Sequence, residues 1–280
     1  MHSSDLKTLF SRCALAAAVA MTTPLAHADT AGEPGRDSTG ANPLKNVYFG
    51  EQHLHTRNSP DAFVAGGRQT WEQAYDWAMG KEVTLSTATS TSGQKIKKST
   101  PYDFVAITDH AEYFGIMPSL IDPDDPLFQT PLAKKLRDPN ANPGDPDSAI
   151  NQILRSLVSG TPMKEFVSPE LQSNNWKRYV ATANKYNKPG TFTTLLAYEW
   201  TSIPNGRNMH RNVFFRGDTG PVVPFTAFDS IYPEDLWTFL ESQRSSGIEN
   251  FAIPHNGNLS DGWMFSPYEF LGGPMDARYA

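Results

Sequence analysis

Five short apolar segments, each bordered by a histidine or a glutamate, most constrain how this 280-residue chain can fold. Short apolar runs are typical of strands buried on both faces, as in a parallel sheet. Stretches with apolar residues at helical spacing separate several of these runs, and this alternation predicts an α/β fold with a parallel sheet. The strands are predicted at 46–55, 102–108, 191–198, 210–215 and 250–254, and the helices at 70–79, 148–158, 168–186 and 233–244.

The amino-terminal segment carries the features of an export signal. Lys7 and Arg12 precede an apolar run at 13–21. Ala26 and Ala28 then form the A-x-A pattern that signal peptidase accepts. The apolar run is about half the length that a membrane-spanning helix needs. We therefore predict a periplasmic or secreted protein with no stable membrane span after cleavage, organised as a signal peptide at 1–28, a flexible lead-in at 29–45 and one domain at 46–280.

Composition excludes several functional classes. The formal net charge is −6 with no dominant basic block, which argues against nucleic acid as a partner. The single cysteine, Cys13, lies in the predicted signal peptide, so disulfide scaffolds, cysteine zinc fingers and thiolate nucleophiles are excluded. A Ser–His–Asp triad stays open, although the chain has no G-x-S-x-G sequence. Two polar segments, 81–100 and 121–149, are predicted to be an exposed excursion and an insertion.

The positions of the histidines point to a metal site. Two of the seven histidines lie in the predicted signal peptide, and the other five border predicted strands. In α/β folds ligands bind at the carboxyl ends of the strands. His53 and His55, two positions apart on an extended segment, project to one face and can reach one cation. Imidazole is the commonest protein metal ligand, and Glu199 would supply the carboxylate.

The motifs around these residues resemble those of the PHP (polymerase and histidinol phosphatase) superfamily. The sequence HLHT at 53–56, with Asp61 eight residues after the first histidine, is similar to the first motif. ITDH at 107–110 is similar to the second motif, and Glu199, His210 and His255 follow in the order of the next metal ligands. Longer segments of the chain resemble one branch of this superfamily, which consists of exported PHP-like proteins catalogued as a domain of unknown function. These segments are YFGEQHLHT, FVAITDHAEY, LLAYEWTS, HRNVFF and PHNGNLSDGWMF.

This resemblance implies a distorted (β/α)7 barrel with two or three divalent metal ions at its mouth. Mixed histidine and carboxylate sites accept zinc, manganese or iron, and zinc or manganese is the preferred expectation. Seven side chains would be the ligands. They would form three groups: His53, His55 and Glu199; Glu199, His210 and His255; and Asp61 with His110.

One departure from the family pattern concerns the carboxyl-terminal end. PHP proteins also have a late D-x-H pair on a final strand, and no D-x-H follows His255. We therefore expect an amino-terminal fragment in which the last strands of the barrel are missing and activity is impaired.

The resemblance implies a metal-dependent hydrolase that uses activated water on a small-molecule substrate, with a phosphoester as the first expectation. The same chemistry would cleave a carboxylic ester, carbamate or amide. A non-catalytic metal-binding protein and a degenerate barrel segment within a larger assembly are the other hypotheses. Glu199, His210 and Asp109 are the expected catalytic residues. Asp109 is expected to orient a ligand or contact water, and Arg211 and Asn256 to contact the substrate.

Overall fold

A five-stranded mixed sheet forms the centre of the fold. The computed structural model describes residues 46–88, 93–138, 142 and 144–276, so the predicted signal peptide (1–28) and lead-in (29–45) lie outside the described residues. The strands are β1 (Gly50–Leu54), β2 (Val83–Thr84), β3 (Lys95–Ile96), β4 (Phe104–Ile107), β5 (Thr193–Trp200), β6 (Arg211–Phe215) and β7 (Asn250–Pro254). The sheet order is β1-β4-β5-β6-β7, and β2 and β3 form a separate antiparallel pair.

The predicted (β/α)7 barrel, expected with its last strands missing, is wrong for the part of the chain that the structure describes. Strands β1, β4 and β5 are parallel, but β6 is antiparallel to β5 and β7 is antiparallel to β6. The described strands form an open sheet instead of a (β/α)7 barrel, and the sheet is not fully parallel. One physical reason lies between β5 and β6. Only residues 201–210 connect these two strands, and a parallel crossover needs a dozen or more residues and usually a helix.

Six α-helices occur within the described ranges, and four of them match predicted helices. They are α1 (Pro60–Val64), α2 (Trp71–Ala78), α3 (Pro131–Leu136), α4 (Ala149–Ser159), α5 (Pro169–Tyr186) and α6 (Pro233–Ser245). Helix α2 begins with a capping box, because Thr70 and Gln73 each accept a hydrogen bond from the other's backbone N–H. Helices α1, α3, α5 and α6 have proline in the first turn, where the missing N–H costs nothing.

Two short strands and one short α-helix were missed in the segments predicted to be irregular. The β2–β3 pair lies within 81–100, and each of its strands has only two residues, which is too short for a periodicity signal. Helix α3 lies within 121–149. Thr130 caps this helix by accepting a hydrogen bond from the backbone N–H of Ala133. A threonine directly before a proline is typical of a helix start, so Thr130 and Pro131 could have indicated this helix in the sequence.

The main core lies between one face of the sheet and helices α2, α5 and α6. Residues alternate along each strand, so that Val105 and Ile107 face this core while Ala106 faces the other side of the sheet. Trp176 and Tyr179 of α5 are fully buried against the sheet. A second cluster forms under α4. No helix of the described residues is both long and apolar enough to cross a membrane.

Candidate metal centre

The predicted ligands meet at one edge of the sheet. Parallel strands β1, β4 and β5 end at this edge. Because β6 is antiparallel, it begins there, and β7 ends there again. Backbone hydrogen bonds hold the strand ends together, with Ala111 N donating to Glu199 O at 2.8 Å and His255 N donating to His210 O at 3.1 Å. The mixed topology therefore brings together side chains that the sequence predicted at the ends of parallel strands.

Five imidazole rings surround the carboxylate of Glu199 in a closed ring. Neighbouring rings have their centroids 4.3 to 5.8 Å apart. The pairs are His55–His53 (4.6 Å), His53–His255 (4.3 Å), His255–His210 (5.8 Å), His210–His110 (5.6 Å) and His110–His55 (4.7 Å). Glu199 is fully buried at the centre. Five nitrogen ligands and one carboxylate thus converge on a small volume.

Glu199 contacts histidines through both of its oxygens. Its Oε1 accepts a hydrogen bond from Nδ1 of His210 at 2.7 Å. Its Oε2 lies 2.8 Å from Nε2 of His55 and 3.8 Å from Nε2 of His53. The carboxylate thus contacts two imidazoles through Oε2 and one through Oε1.

The donor atoms fit a cation better than they fit one another. His55 Nε2, Glu199 Oε2 and His210 Nε2 are buried, and none has a hydrogen-bond partner among the described residues. The first two atoms are 2.8 Å apart, close enough to form an ion pair when His55 is protonated or to bind one cation together when it is neutral. Buried polar atoms without partners are costly, and a divalent cation would satisfy all three.

Two groups of side chains are compact enough to hold a metal ion, and Glu199 belongs to both. In each group the donor atoms lie within 4.8 Å of one another. A bound zinc ion would draw its ligands to about 2.0–2.1 Å from itself. The grouping differs from the one that the resemblance implied. The groups are His53, Glu199 and His255, and His55, His110 and Glu199.

Three residues outside the ring orient two of the imidazoles. The Nδ1 of His53 lies 3.1 Å from Asn212 Oδ1 and 3.0 Å from Thr108 Oγ1. The Nδ1 of His110 is hydrogen-bonded to the hydroxyl of Thr201. Such bonds set the tautomer and ring orientation of histidine ligands. The sequence analysis did not identify these three partners. Each of them lies two positions along the chain from a candidate ligand: Thr108 from His110, Thr201 from Glu199 and Asn212 from His210.

Asp61, a predicted ligand, lies on the outer side of His55. Its carboxylate oxygens are 3.0 and 2.9 Å from Nδ1 of His55, and Oδ2 is 3.5 Å from Nε2 of His110. Ser59, which the sequence analysis also missed, donates to Asp61 at 2.6 Å. Burial alone would raise the pKa of Asp61, but His110 and His55 hold it well below its usual range. Asp61 is therefore a charged partner that orients His55 and lies within reach of His110.

The two residues predicted to contact substrate occupy different environments. Arg211 is buried, donates to Met209 O at 2.7 Å and lies with its guanidinium 4.9 Å from the ring centre of Trp237 in α6. It points away from the imidazole ring, because neighbouring residues on a strand face opposite sides. Asn256 Nδ2 donates to His255 Nδ1 at 2.8 Å and so holds that ring in place.

Asp109 anchors the loop that follows the first histidine pair. Its buried carboxylate accepts hydrogen bonds from Thr56 N at 2.5 Å, Thr56 Oγ1 at 2.8 Å and Trp71 Nε1 at 2.7 Å. Burial raises the pKa of Asp109, and these donors together with the nearby His55 oppose that shift. Asp109 thus supports Thr56, the neighbour of His55, and its role toward a ligand or a water molecule stays a prediction.

We expect Asp109→Asn to lower the free energy of unfolding by about 2–3 kcal/mol, because an amide leaves one of these buried donors unsatisfied. We also expect weaker metal binding, since His55 loses its support. Urea unfolding and metal titration measure the two effects. Asp147→Asn, which alters an exposed carboxylate, is the control. Unchanged stability in Asp109→Asn would contradict the anchoring role.

Without a bound ion, the cluster makes stability depend on pH. Burial alone would lower the pKa of His55, but Asp61 and Glu199 outweigh it and raise the pKa to about 10. The pKa of His55 in the unfolded chain is 6.5. Protonated His55 therefore stabilises the fold fully below pH 6.5, and this stabilisation is lost as pH rises through about 10. Burial lowers the pKa of His255 to about 4, so its stabilisation is complete above 6.5 and is lost as pH falls through about 4.

We therefore expect the free energy of unfolding of the metal-free protein to be highest near pH 6.5 and to decline toward both about pH 9 and about pH 5. Urea unfolding in the presence of a chelator measures this profile. His55→Asn, which does not titrate, should flatten the alkaline decline. A wild-type stability that increases steadily from neutral to alkaline pH would be inconsistent with the charged pairs.

The comparisons with known proteins give a family without an assigned activity. Residues 42–280 match the family model described as "Protein of unknown function (DUF3604)". No curated protein and no solved structure is significantly similar to the chain. The matched range includes every residue of the candidate metal centre. The resemblance to the PHP superfamily stays a prediction, and the function has to be argued from the site.

Proposed function

We propose that this chain, which belongs to the DUF3604 family of proteins of unknown function, is an exported divalent-metal-dependent hydrolase that acts on phosphoesters. The observation that carries the proposal is the closed ring of five imidazoles around buried Glu199, with three buried donor atoms that lack hydrogen-bond partners among the described residues. Nitrogen and carboxylate donors in this mixture suit zinc, manganese or iron.

The side chains divide into ligands and groups that orient them. His53 and His55 present their Nε2 atoms to Glu199 Oε2 while other residues hold their Nδ1 atoms. His110 completes the second candidate group. Glu199 belongs to both candidate groups and would place two cations side by side. Divalent ions bound there would lower the pKa of a water molecule and polarise the oxygen that gains charge in the transition state.

His210 is the residue best placed to hold a proton near this centre. Its Nδ1 donates to Glu199 Oε1 at 2.7 Å, which leaves the lone pair on Nε2. That nitrogen is buried, and it has no partner within the described ranges. It can therefore either bind a cation or accept a proton from water. Both roles agree with the catalytic assignment made from the sequence.

The order of candidate ligands along the chain supports a hydrolase over a metal-storage protein. That order is the one by which the chain resembles PHP proteins, and a storage site would not need it. The phosphoester rests on this analogy, because a fold does not determine its substrate. A carboxylic ester, carbamate or amide substrate would use the same ligands.

The experiment measures metal content and turnover of the purified full chain. We expect bound zinc or manganese, with hydrolysis of p-nitrophenyl phosphate that a chelator abolishes and added metal restores. Chelator-sensitive hydrolysis of p-nitrophenyl acetate alone would indicate a carboxylic ester hydrolase instead. Tight metal binding with turnover of neither ester would overturn the hydrolase proposal and favour a metal-binding protein.

A further inference from the structure

A second cavity, built from residues outside the candidate metal centre, opens beside the start of α2. Its volume is about 360 Å³, which is within the range of small-ligand pockets. It lies between the loop after β1, the first residues of α2 and the middle of α5. The residues that line it are Arg57, Asn58, Thr70, Trp71, Glu72, Arg178, Ala181 and Thr182.

Two guanidinium groups line this cavity without a carboxylate partner. Among the described residues, neither Arg57 nor Arg178 forms an ion pair. Arg178 donates only a long hydrogen bond, 3.4 Å, to Asn175 Oδ1. The Nε of Arg57 is buried with no hydrogen-bond partner in the described part of the chain. An unpaired buried donor on a charged group is costly, which indicates a missing anionic partner.

Electrostatics at the cavity also favours an anion. Burial lowers the pKa of Arg57, and the like charge of Arg178 adds to this shift, while the carboxylates of Glu72 and Asp122 oppose it. Thr70, Trp71 and Glu72 form the amino-terminal end of α2, where the helix dipole is positive. Glu72 is the one carboxylate among the residues that line the cavity, so two positive charges face one negative charge there.

We propose that this cavity binds a phosphate dianion, free or as part of a small phosphate ester, between Arg57 and Arg178. Guanidinium groups bind phosphate oxygens in a bidentate manner, so two of them can hold one dianion. The hydroxyl of Thr70 accepts a hydrogen bond from Gln73 N, and its own proton can be donated to the ligand. The cavity volume leaves room for an organic group beside the phosphate. The site does not depend on the proposed hydrolase activity.

The test is calorimetric titration of inorganic phosphate, and separately of glycerol phosphate, into the full chain. We expect Arg57→Gln and Arg178→Gln each to weaken phosphate binding by at least about tenfold, since each removes a charged hydrogen bond. Glu72→Gln should strengthen binding, because it removes the opposing charge. Tighter binding of glycerol phosphate would identify an ester as the occupant, and equal or weaker binding would identify free phosphate.

Two controls separate this cavity from other phosphate sites. Lys177→Gln removes a neighbouring exposed charge on α5 that does not line the cavity, and it should leave the affinity unchanged. Titration in the presence of a chelator, which removes divalent ions from the metal centre, should also leave the affinity of the cavity unchanged. The proposal is overturned if both arginine variants, shown to be folded by circular dichroism, bind phosphate like the wild type, or if the chelator alone abolishes phosphate binding.

Discussion

Glu199→Gln is expected to weaken binding of divalent metal by at least about a hundredfold and to abolish metal-dependent hydrolysis. The substitution keeps the size of the side chain but removes the negative charge at the centre of five imidazoles. Burial alone would raise the pKa of Glu199, but the surrounding histidines, His110 first, hold it well below its usual range. The wild-type carboxylate is therefore ionised at neutral pH and available to both candidate metal groups.

The measurement combines metal titration with turnover of p-nitrophenyl phosphate. Glu249→Gln is the matched control, since Glu249 is an exposed carboxylate paired with Arg216 at 2.7 Å, away from the ring of histidines. It should bind metal and turn over substrate like the wild type. If folded Glu199→Gln retained full metal affinity, Glu199 would not be a ligand, and the proposed function would lose its central residue.

Trp176→Ala is expected to reduce the free energy of unfolding by about 3–5 kcal/mol, as for other large aromatic side chains removed from a core. The indole is 1% exposed, and its Nε1 donates to Pro221 O at 2.8 Å. It also packs on Tyr179 and Phe114, with ring centres 5.3 and 5.6 Å away. Its removal would leave a cavity between α5 and the sheet and an unsatisfied buried carbonyl.

Two further variants show whether this loss comes from packing. Trp176→Phe keeps part of the ring and should lose less stability than Trp176→Ala, while Val222→Ala, at a side chain 75% exposed, should lose almost none. Urea unfolding of the metal-loaded proteins measures all three. A loss below about 1 kcal/mol in Trp176→Ala would mean that helix α5 repacks, contrary to the tight contact at Gly220, where a Cβ would lie 2.9 Å from the indole.

Much of the candidate site could be predicted from local pattern alone. Apolar runs located the five strands of the sheet, and the residues that border them supplied all six side chains of the imidazole and carboxylate cluster. The H-x-H spacing placed His53 and His55 on one face, and their rings lie 4.6 Å apart. These predictions succeeded because alternation along a strand depends only on the strand itself.

Other features depended on contacts between distant residues. The direction of β6, the burial of Arg211 against Trp237 and the pairing of Asp109 with Trp71 could not be read from any local window. The arginine-lined cavity likewise combines Arg57 and Arg178, which are far apart in the chain.

The sequence by itself determined where the five strands of the main sheet and four of the six described helices lie, and which side chains stand at the strand ends, because hydrophobic periodicity is a local property. Only the tertiary structure decided that the sheet is mixed and open, that Glu199 is common to both candidate metal groups and that Arg211 lies away from them. Which strands pair, and in which direction, depends on packing free energy summed over the whole core and on the length of the connections between strands.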